Sequence, residues 1–152
     1  MRDILSGVSE PARADPLIGV VLDERFRVER LLGEGGMGRV YAATEQLLRR
    51  RCAVKVLLPE FARDKDSVAR FLREARAIAQ IRHENVVDIY HLGGDAEHGV
   101  VFFAMELLTG EDLESRVAAR ATRPFTWQQV CGWITQVAGA MAAVHDAGVI
   151  HR

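Results

Sequence analysis

Apolar and polar positions follow two different periods along this chain. FRVERLLG (26–33) reads as a strand that runs into glycines, RVYAATE (39–45) has strand character from Val40 and Tyr41, and CAVKVLL (52–58) is a short β-branched run closed by Pro59. The opening is therefore predicted as strand, glycine turn, strand, connection, strand, in an antiparallel meander. The period then changes. In DSVARFLREARAIAQIR (66–82), Val68, Phe71, Leu72, Ala75, Ile78 and Ala79 recur at i, i+3, i+4, i+7 spacing, which predicts an amphipathic helix with Asp66 as its cap. NVVDIYHL (85–92) and VVFFAMELL (100–108) read as two further strands joined through GGDAEHG. TGEDLESRVAAR (109–120) opens a helical region in which Thr109 and Asp112 resemble a capping pair.

The clearest helix is 126–148. Thr126 and Gln129 form a capping box, Val130, Trp133, Ile134, Val137, Met141 and Val144 make one apolar stripe, and Gly148 suits the position just past the end. Five strands with one inserted helix, followed by helices, predict an α+β fold. Residues 1–22 mix Ser, Gly, Pro and charges without periodicity and read as a mobile leader.

Composition narrows the function classes. The 152 residues carry 20 basic and 21 acidic side chains, a net charge of −1, so no global field draws the chain to nucleic acid or an anionic membrane. Cys52 and Cys131 match neither a disulfide framework nor a metal spacing and fit a reducing cytosol. No apolar run is long enough to span a bilayer, and MRDILSGVSE is no signal peptide. Lys55 and Lys65 are the only lysines among the 20 basic residues, and one of them sits inside CAVKVLL.

Three features carry chemistry. In GEGGMGRV (33–40), Gly33, Gly35 and Gly38 have GxGxxG spacing. A dinucleotide fingerprint would open a helix after Gly38 and place an acid about 20 residues on, and RVYAATE and RRRCAVKVLL supply neither. A hairpin turn needs fewer glycines, so a flap whose backbone N–H groups approach phosphate oxygens is the better reading. On a strand Ala53, Lys55 and Leu57 share one face, and Cys52, Val54, Val56 and Leu58 the other. A lysine there either snorkels to water, as an edge-strand charge, or meets an anion. Glu74, at the border of the helical stripe, either pairs with Arg70 at the surface or points across at Lys55 to hold its ammonium for a phosphate.

These residues together resemble a protein kinase, in the bacterial eukaryotic-like serine/threonine group. The resemblance rests on GEGGMGRV, CAVK, Glu74 in RFLREARAIAQIRHENVV, Met105-Glu106-Leu107-Leu108 and HDAGVIHR, and covers about residues 25–152. It implies a kinase small lobe over 23–108, a five-stranded antiparallel sheet plus one helix, and the start of a large lobe over 109–152. It implies ATP as cofactor with Mg²⁺, and protein substrates for the full-length enzyme. Gly33, Gly35 and Gly38 would cover the phosphates, and Val40 and Ala53 would pack on the adenine. Lys55 would bind the α- and β-phosphates, oriented by Glu74. The backbones of Glu106 and Leu108 would meet the adenine edge, Met105 would wall the pocket, and Asp112 would contact ribose or serve as a plain helix-start carboxylate. Ile78, Ile89 and His151 match residues of the hydrophobic stack that aligns the lobes.

In the family the His-Arg pair is followed by the catalytic Asp and later by the Mg²⁺ ligands, none of which lies within 1–152. The expectation is a catalytically incomplete, cytoplasmic piece with no metal ligands and no membrane segment. The bare apolar face of 126–148 would call for a partner, aggregate or lose its order. A non-catalytic kinase-like binding module and a dinucleotide-binding domain are the competing readings.

Overall fold

A computed structural model describes residues 15–149 of the chain. The larger part of the expected leader, and Ile150, His151 and Arg152, lie outside the described residues. One antiparallel sheet dominates. Its strands are β1 (Val21–Leu22), β2 (Phe26–Glu34), β3 (Gly38–Glu45), β4 (Arg50–Leu57), β5 (Ile89–Asp95) and β6 (Val100–Glu106), in spatial order β1-β2-β3-β4-β6-β5. The expected meander is present as β2-β3-β4. The sheet has six strands rather than five because Val21 and Leu22 pair with Arg27 and Phe26. Glycine misled the reading of β5: GGD was placed in a connection, yet Gly93 and Gly94 pair with Phe102 and Val101 inside the strand. A Cβ on Gly93 would come within 2.9 Å of the Phe102 ring, so the missing side chain is a packing requirement rather than a turn signal.

The alternation in β4 divides the molecule into two apolar layers. Cys52, Val54 and Val56 join Phe26, Val28, Tyr41, Phe102 and Ala104 on one face. Leu57 joins Phe71, Ala75, Ile89 and Phe103 on the other, with Ile78 and Met105 packed against them. The second layer is covered by α2 (Lys65–Ala79), whose buried apolar positions, Phe71 and Ala75, are the i, i+4 pair of the predicted stripe. Its cap is Asp64, two residues earlier than the expected Asp66, because the Asp64 carboxylate accepts from the Ser67 N–H at 3.0 Å. A single turn, α1 (Pro59–Ala62), precedes it, with Pro59 at a helix start where its missing N–H is harmless.

Electrostatics fasten the first layer. The sheet curls until the β1–β2 turn meets β5 and β6. The Asp23 N–H donates to Asp95 at 2.9 Å, and the Phe26 and Phe102 rings meet edge-on at 5.7 Å. Glu45 is fully buried, and accepts from Arg25 Nε at 2.8 Å and from Arg50 at 3.3 Å. Arg25 also reaches His91 Nδ1 at 3.3 Å, while His91 Nε2 lies 3.2 Å from Asp23. An acceptor role for Nδ1 puts the ring proton on Nε2, facing the carboxylate. A buried carboxylate needs charged donors on both oxygens, and the two arginines supply them.

The remaining elements are α3 (Leu113–Ala118), a 3₁₀ turn (Ala119–Ala121) and α4 (Trp127–Asp146). Asp112 caps α3 by accepting from the Ser115 N–H, so the expected Thr109 pairing does not form the cap. The Thr126–Gln129 capping box is present on α4. Gly148 has φ +75° and donates to His145 while Val149 donates to Val144, which completes a Schellman stop. The stripe of α4 is not buried: Ile134 is 63% and Val137 56% exposed, and no α4 residue is in a core.

Glu45→Gln is predicted to lower unfolding stability by about 1–3 kcal/mol in urea denaturation, since it removes the charge that both arginines face inside the sheet. A loss below about 0.5 kcal/mol would show that the buried cluster contributes little.

Candidate functional site

Register places the expected site residues on one face of the sheet. Val40 pairs with Lys55, Ala42 with Ala53, Ala53 with Met105, and Lys55 with Phe103. Ala53 is 4% exposed, so a flat apolar group lying on this face would meet a methyl rather than a large side chain. Lys55 is partly buried, with Nζ 5.9 Å from the centre of the Phe103 ring. No ion pair engages it among the described residues. An ammonium held among apolar neighbours without a carboxylate is left for water or a ligand anion.

The glycine run forms the β2–β3 connection above this lysine. Gly35 N–H donates to the Gly38 carbonyl at 2.9 Å, and Arg39 Nε donates to Glu34 at 2.9 Å across the base of the loop. This Glu34–Arg39 clamp was not anticipated; the opposite charges flanking the glycine run were its signal. The glycines are there for two different reasons. A Cβ on Gly38 would stand 2.6 Å from the Val56 carbonyl oxygen and 3.6 Å from Lys55 Cε, so Gly38 is demanded by the close approach of β4. Gly33 and Gly36 have nothing within 4 Å, Gly35 only the Gly38 carbonyl oxygen at 3.9 Å, and none of the three has positive φ. Neither packing nor backbone conformation within the chain explains them. The space where their side chains would stand is open, which leaves room for a group such as phosphate to approach the loop.

The other expected residues divide. Met105 packs into the layer with Phe103 and Ile89, and Ile78 belongs to the same cluster, so two of the stack residues touch a common core. The Glu106 N–H donates to the Asp88 carbonyl at 3.0 Å and its side chain accepts from the Asp88 N–H at 2.9 Å. Leu108 is 70% exposed, and no backbone or side-chain bond among the described residues reaches its N–H or carbonyl. An edge with free donor and acceptor therefore follows the last strand, beside Ala53. Asp112 is occupied as the α3 cap. The Ser115 backbone N–H, then its hydroxyl, hold the Asp112 carboxyl below its ordinary value. Glu74 is not brought to Lys55. It is exposed on α2, and no ion pair within 4.0 Å joins the two, so the expected lysine–glutamate link is open in this conformation. For Mg²⁺, the described residues offer no group of three or more His, Cys, Asp or Glu side chains.

A glycine loop over a strand lysine, a small residue opposite a methionine, and an exposed segment after the last strand are the arrangement expected of a protein kinase small lobe. The chain belongs to that family: residues 26–152 match its profile, described as Protein kinase domain. Serine/threonine-protein kinase pkn3 of Myxococcus xanthus is 38% identical over 138 residues, which is 91% of this chain and 25% of that protein. PknA of Mycobacterium tuberculosis is 35% identical over 140 residues, 90% of this chain and 32% of its own length. PrkC of Bacillus subtilis is 32% identical over 136 residues, and the chain covers 20% of it. This chain therefore spans a third or less of the length of these curated relatives. Among solved structures, the Mycobacterium tuberculosis PknI kinase domain superposes with a TM-score of 0.71 at 30% identity, over 89% of this chain and 53% of that one.

The two classes of glycine give a prediction. Gly38→Ala forces a shift of β3 against β4 and is expected to destabilise by about 1–3 kcal/mol. Gly36→Ala is expected to stay within about 0.5 kcal/mol in thermal unfolding. Equal losses at both positions would show that the whole run serves the fold.

Proposed function

We propose that this chain is the nucleotide-gripping part of a protein serine/threonine kinase, with its small lobe over 23–108 and the start of the large lobe from 109. The observation that carries the reading is the pairing of an unpartnered Lys55 with three glycines that have no internal cause. When bound, ATP supplies the phosphoryl group to be transferred to a protein hydroxyl. The loop of Gly33, Gly35 and Gly36 covers the phosphate side of the cleft with backbone that carries no side chains, and Gly38 keeps β4 close enough to bring Lys55 beneath it. Val40 and Ala53 offer the adenine an apolar face, and Met105 closes the back. The free N–H of Leu108 and the carbonyl of Glu106 face the base edge. Glu74 joins Lys55 only after α2 moves inward from the conformation described here.

Residues 1–152 by themselves hold the grip without the rest of the reaction. Residues 1–152 contain no Asp-Phe-Gly. Phosphoryl transfer depends on positioning and charge stabilisation around the γ-phosphate, and the side chains here reach the nucleotide from one side. The part of the α4 stripe left exposed, Ile134 and Val137, is where further protein would pack. The open Lys55–Glu74 pair gives a second reading some support, that of a non-catalytic kinase-like module which binds partners.

A fluorescent ATP analogue titrated into the 152-residue chain separates these readings. Weak saturable binding is expected, reduced about tenfold or more by Lys55→Met, which removes a charged contact to phosphate. Radiolabelled ATP should leave no label on a generic protein substrate above background. Binding untouched by Lys55→Met would overturn the nucleotide grip, and substrate labelling that Lys55→Met abolishes would show the chain to be catalytically sufficient.

A further inference from the structure

The base of the glycine loop is tied to the far face of the sheet. In β3, Val40 shares a face with Lys55, its partner across the ladder, while Arg39 and Tyr41 alternate to the opposite face with Val56 and Val54. Tyr41 is fully buried there, in the first apolar layer. Its hydroxyl donates to Asp15 Oδ2 at 2.9 Å, and Asp15 Oδ1 accepts from the Leu17 N–H at 3.1 Å. Burial first, then the Asp15 carboxylate, push the Tyr41 phenol up to about 12, so it remains a donor at neutral pH. The segment that begins at Asp15 is itself anchored. Leu17 and Val20 pack against the first layer, the Gly19 N–H donates to the Val28 carbonyl at 2.9 Å, and the Val28 N–H donates to the Val20 carbonyl at 2.8 Å. Arg39 joins this anchor to the loop. Its Nη1 lies 3.6 Å from Asp15 Oδ2, while its Nε and Nη2 reach the two carboxylate oxygens of Glu34 at 2.9 and 3.5 Å. Asp15 is the shielded partner, its side chain 14% exposed against 50% for Glu34.

We propose that Arg39 is a positioning residue for the nucleotide, and that the anchored Asp15 sets the guanidinium with which Arg39 holds Glu34 away from the phosphates. The inference rests on the nucleotide grip proposed above. Glu34 stands between Gly33 and Gly35, so a free carboxylate there would be the negative charge nearest in sequence to the phosphate side of the loop. Such a charge would oppose the phosphates of a nucleotide. Arg39 draws it instead toward the face away from Lys55. A half-exposed pair of this kind is weakly held on its own, since two long side chains must give up their freedom. The second carboxylate changes that balance. It is fixed by a buried tyrosine, so it sets the arginine in place before Glu34 docks on it. A lysine could not do the same, because a single ammonium lacks the planar fork that spans two carboxylates.

Two fluorescent probes titrated into the whole chain test this, an adenosine triphosphate analogue and the corresponding nucleoside without phosphates. The unsubstituted chain is expected to prefer the triphosphate, and Lys55→Met to remove most of that preference. Arg39→Gln should weaken triphosphate binding about fivefold or more. Asp15→Asn, which keeps the shape and an acceptor for Tyr41, should weaken it about threefold. Neither should change nucleoside binding, which a general loosening of the sheet would weaken as well. Arg39→Lys should recover only part of the loss. The double variant should bind as Arg39→Gln alone does, because Asp15 acts through Arg39. Equal losses on both probes, additive losses in the double variant, or triphosphate binding that Arg39→Gln or Asp15→Asn leaves intact would overturn the proposal, and the nucleotide grip would still stand on the effect of Lys55→Met. A chain that binds both probes equally before any substitution would remove the grip itself, and this inference with it.

Discussion

Burial of β4 on both faces is the constraint on which the rest of the structure depends. β3 and β6 flank it, one apolar layer lies on each side, and a slip of one residue would turn Cys52, Val54 and Val56 out of the first layer. The register is therefore strongly specified by packing. Once it is held, the place of Lys55 follows: opposite Val40, opposite Phe103 from the other neighbour, and close to Gly38. The chemistry of the site is a by-product of a strand that had to alternate this way. Such a site is filled below, where the strands pack, and uncrowded above, where a Cβ on Gly33, Gly35 or Gly36 would meet no close contact.

The arginine-rich composition is used in three ways. Arg25 and Arg50 neutralise a buried glutamate and thereby tie β2, β3 and β4 together near the end of the sheet that bears the exposed hairpin. Arg50 also lies 3.9 Å over the Tyr90 ring, where burial first, and then the nearby Cys52, push the phenol well above its ordinary value. Arg39 clamps the base of the glycine loop through Glu34. Arg27, Arg49 and Arg51 remain at the surface. Guanidinium groups suit all three settings because they stay charged and can donate to two acceptors at once. The two lysines lack that rigid fork, and the one in β4 is a point charge on a flexible stem with no ion-pair partner among the described residues.

The helical half behaves differently from the sheet. α4 has its capping box and its Schellman stop, so its ends are defined by local bonds. Its length needs nothing from the rest of the molecule, yet its apolar stripe meets only Phe125 and scattered neighbours. Local propensity and tertiary burial have come apart in this segment. In α2 they coincide, and there the buried stripe is what orients Glu74 outward.

Much of this was legible in the sequence itself. Period-two runs located β2, β3, β4 and β6, the i, i+4 stripe located α2, and the ends of α4 were marked by Thr126, Gln129 and Gly148, because each of these signals is local. The candidate site residues were legible because glycine spacing and a lysine inside an apolar strand are anomalies that need no partner to be noticed. Glycine misled in β5, where it answers to the Phe102 ring across the ladder rather than to a turn. The pairing of Glu45 with Arg25, 20 positions away, the assignment of Gly38 to packing and of Gly33, Gly35 and Gly36 to open space, and the separation of Lys55 from Glu74 were decided only by the tertiary structure. Each depends on distance between elements remote in sequence, a quantity set by how layers pack and not by any local pattern.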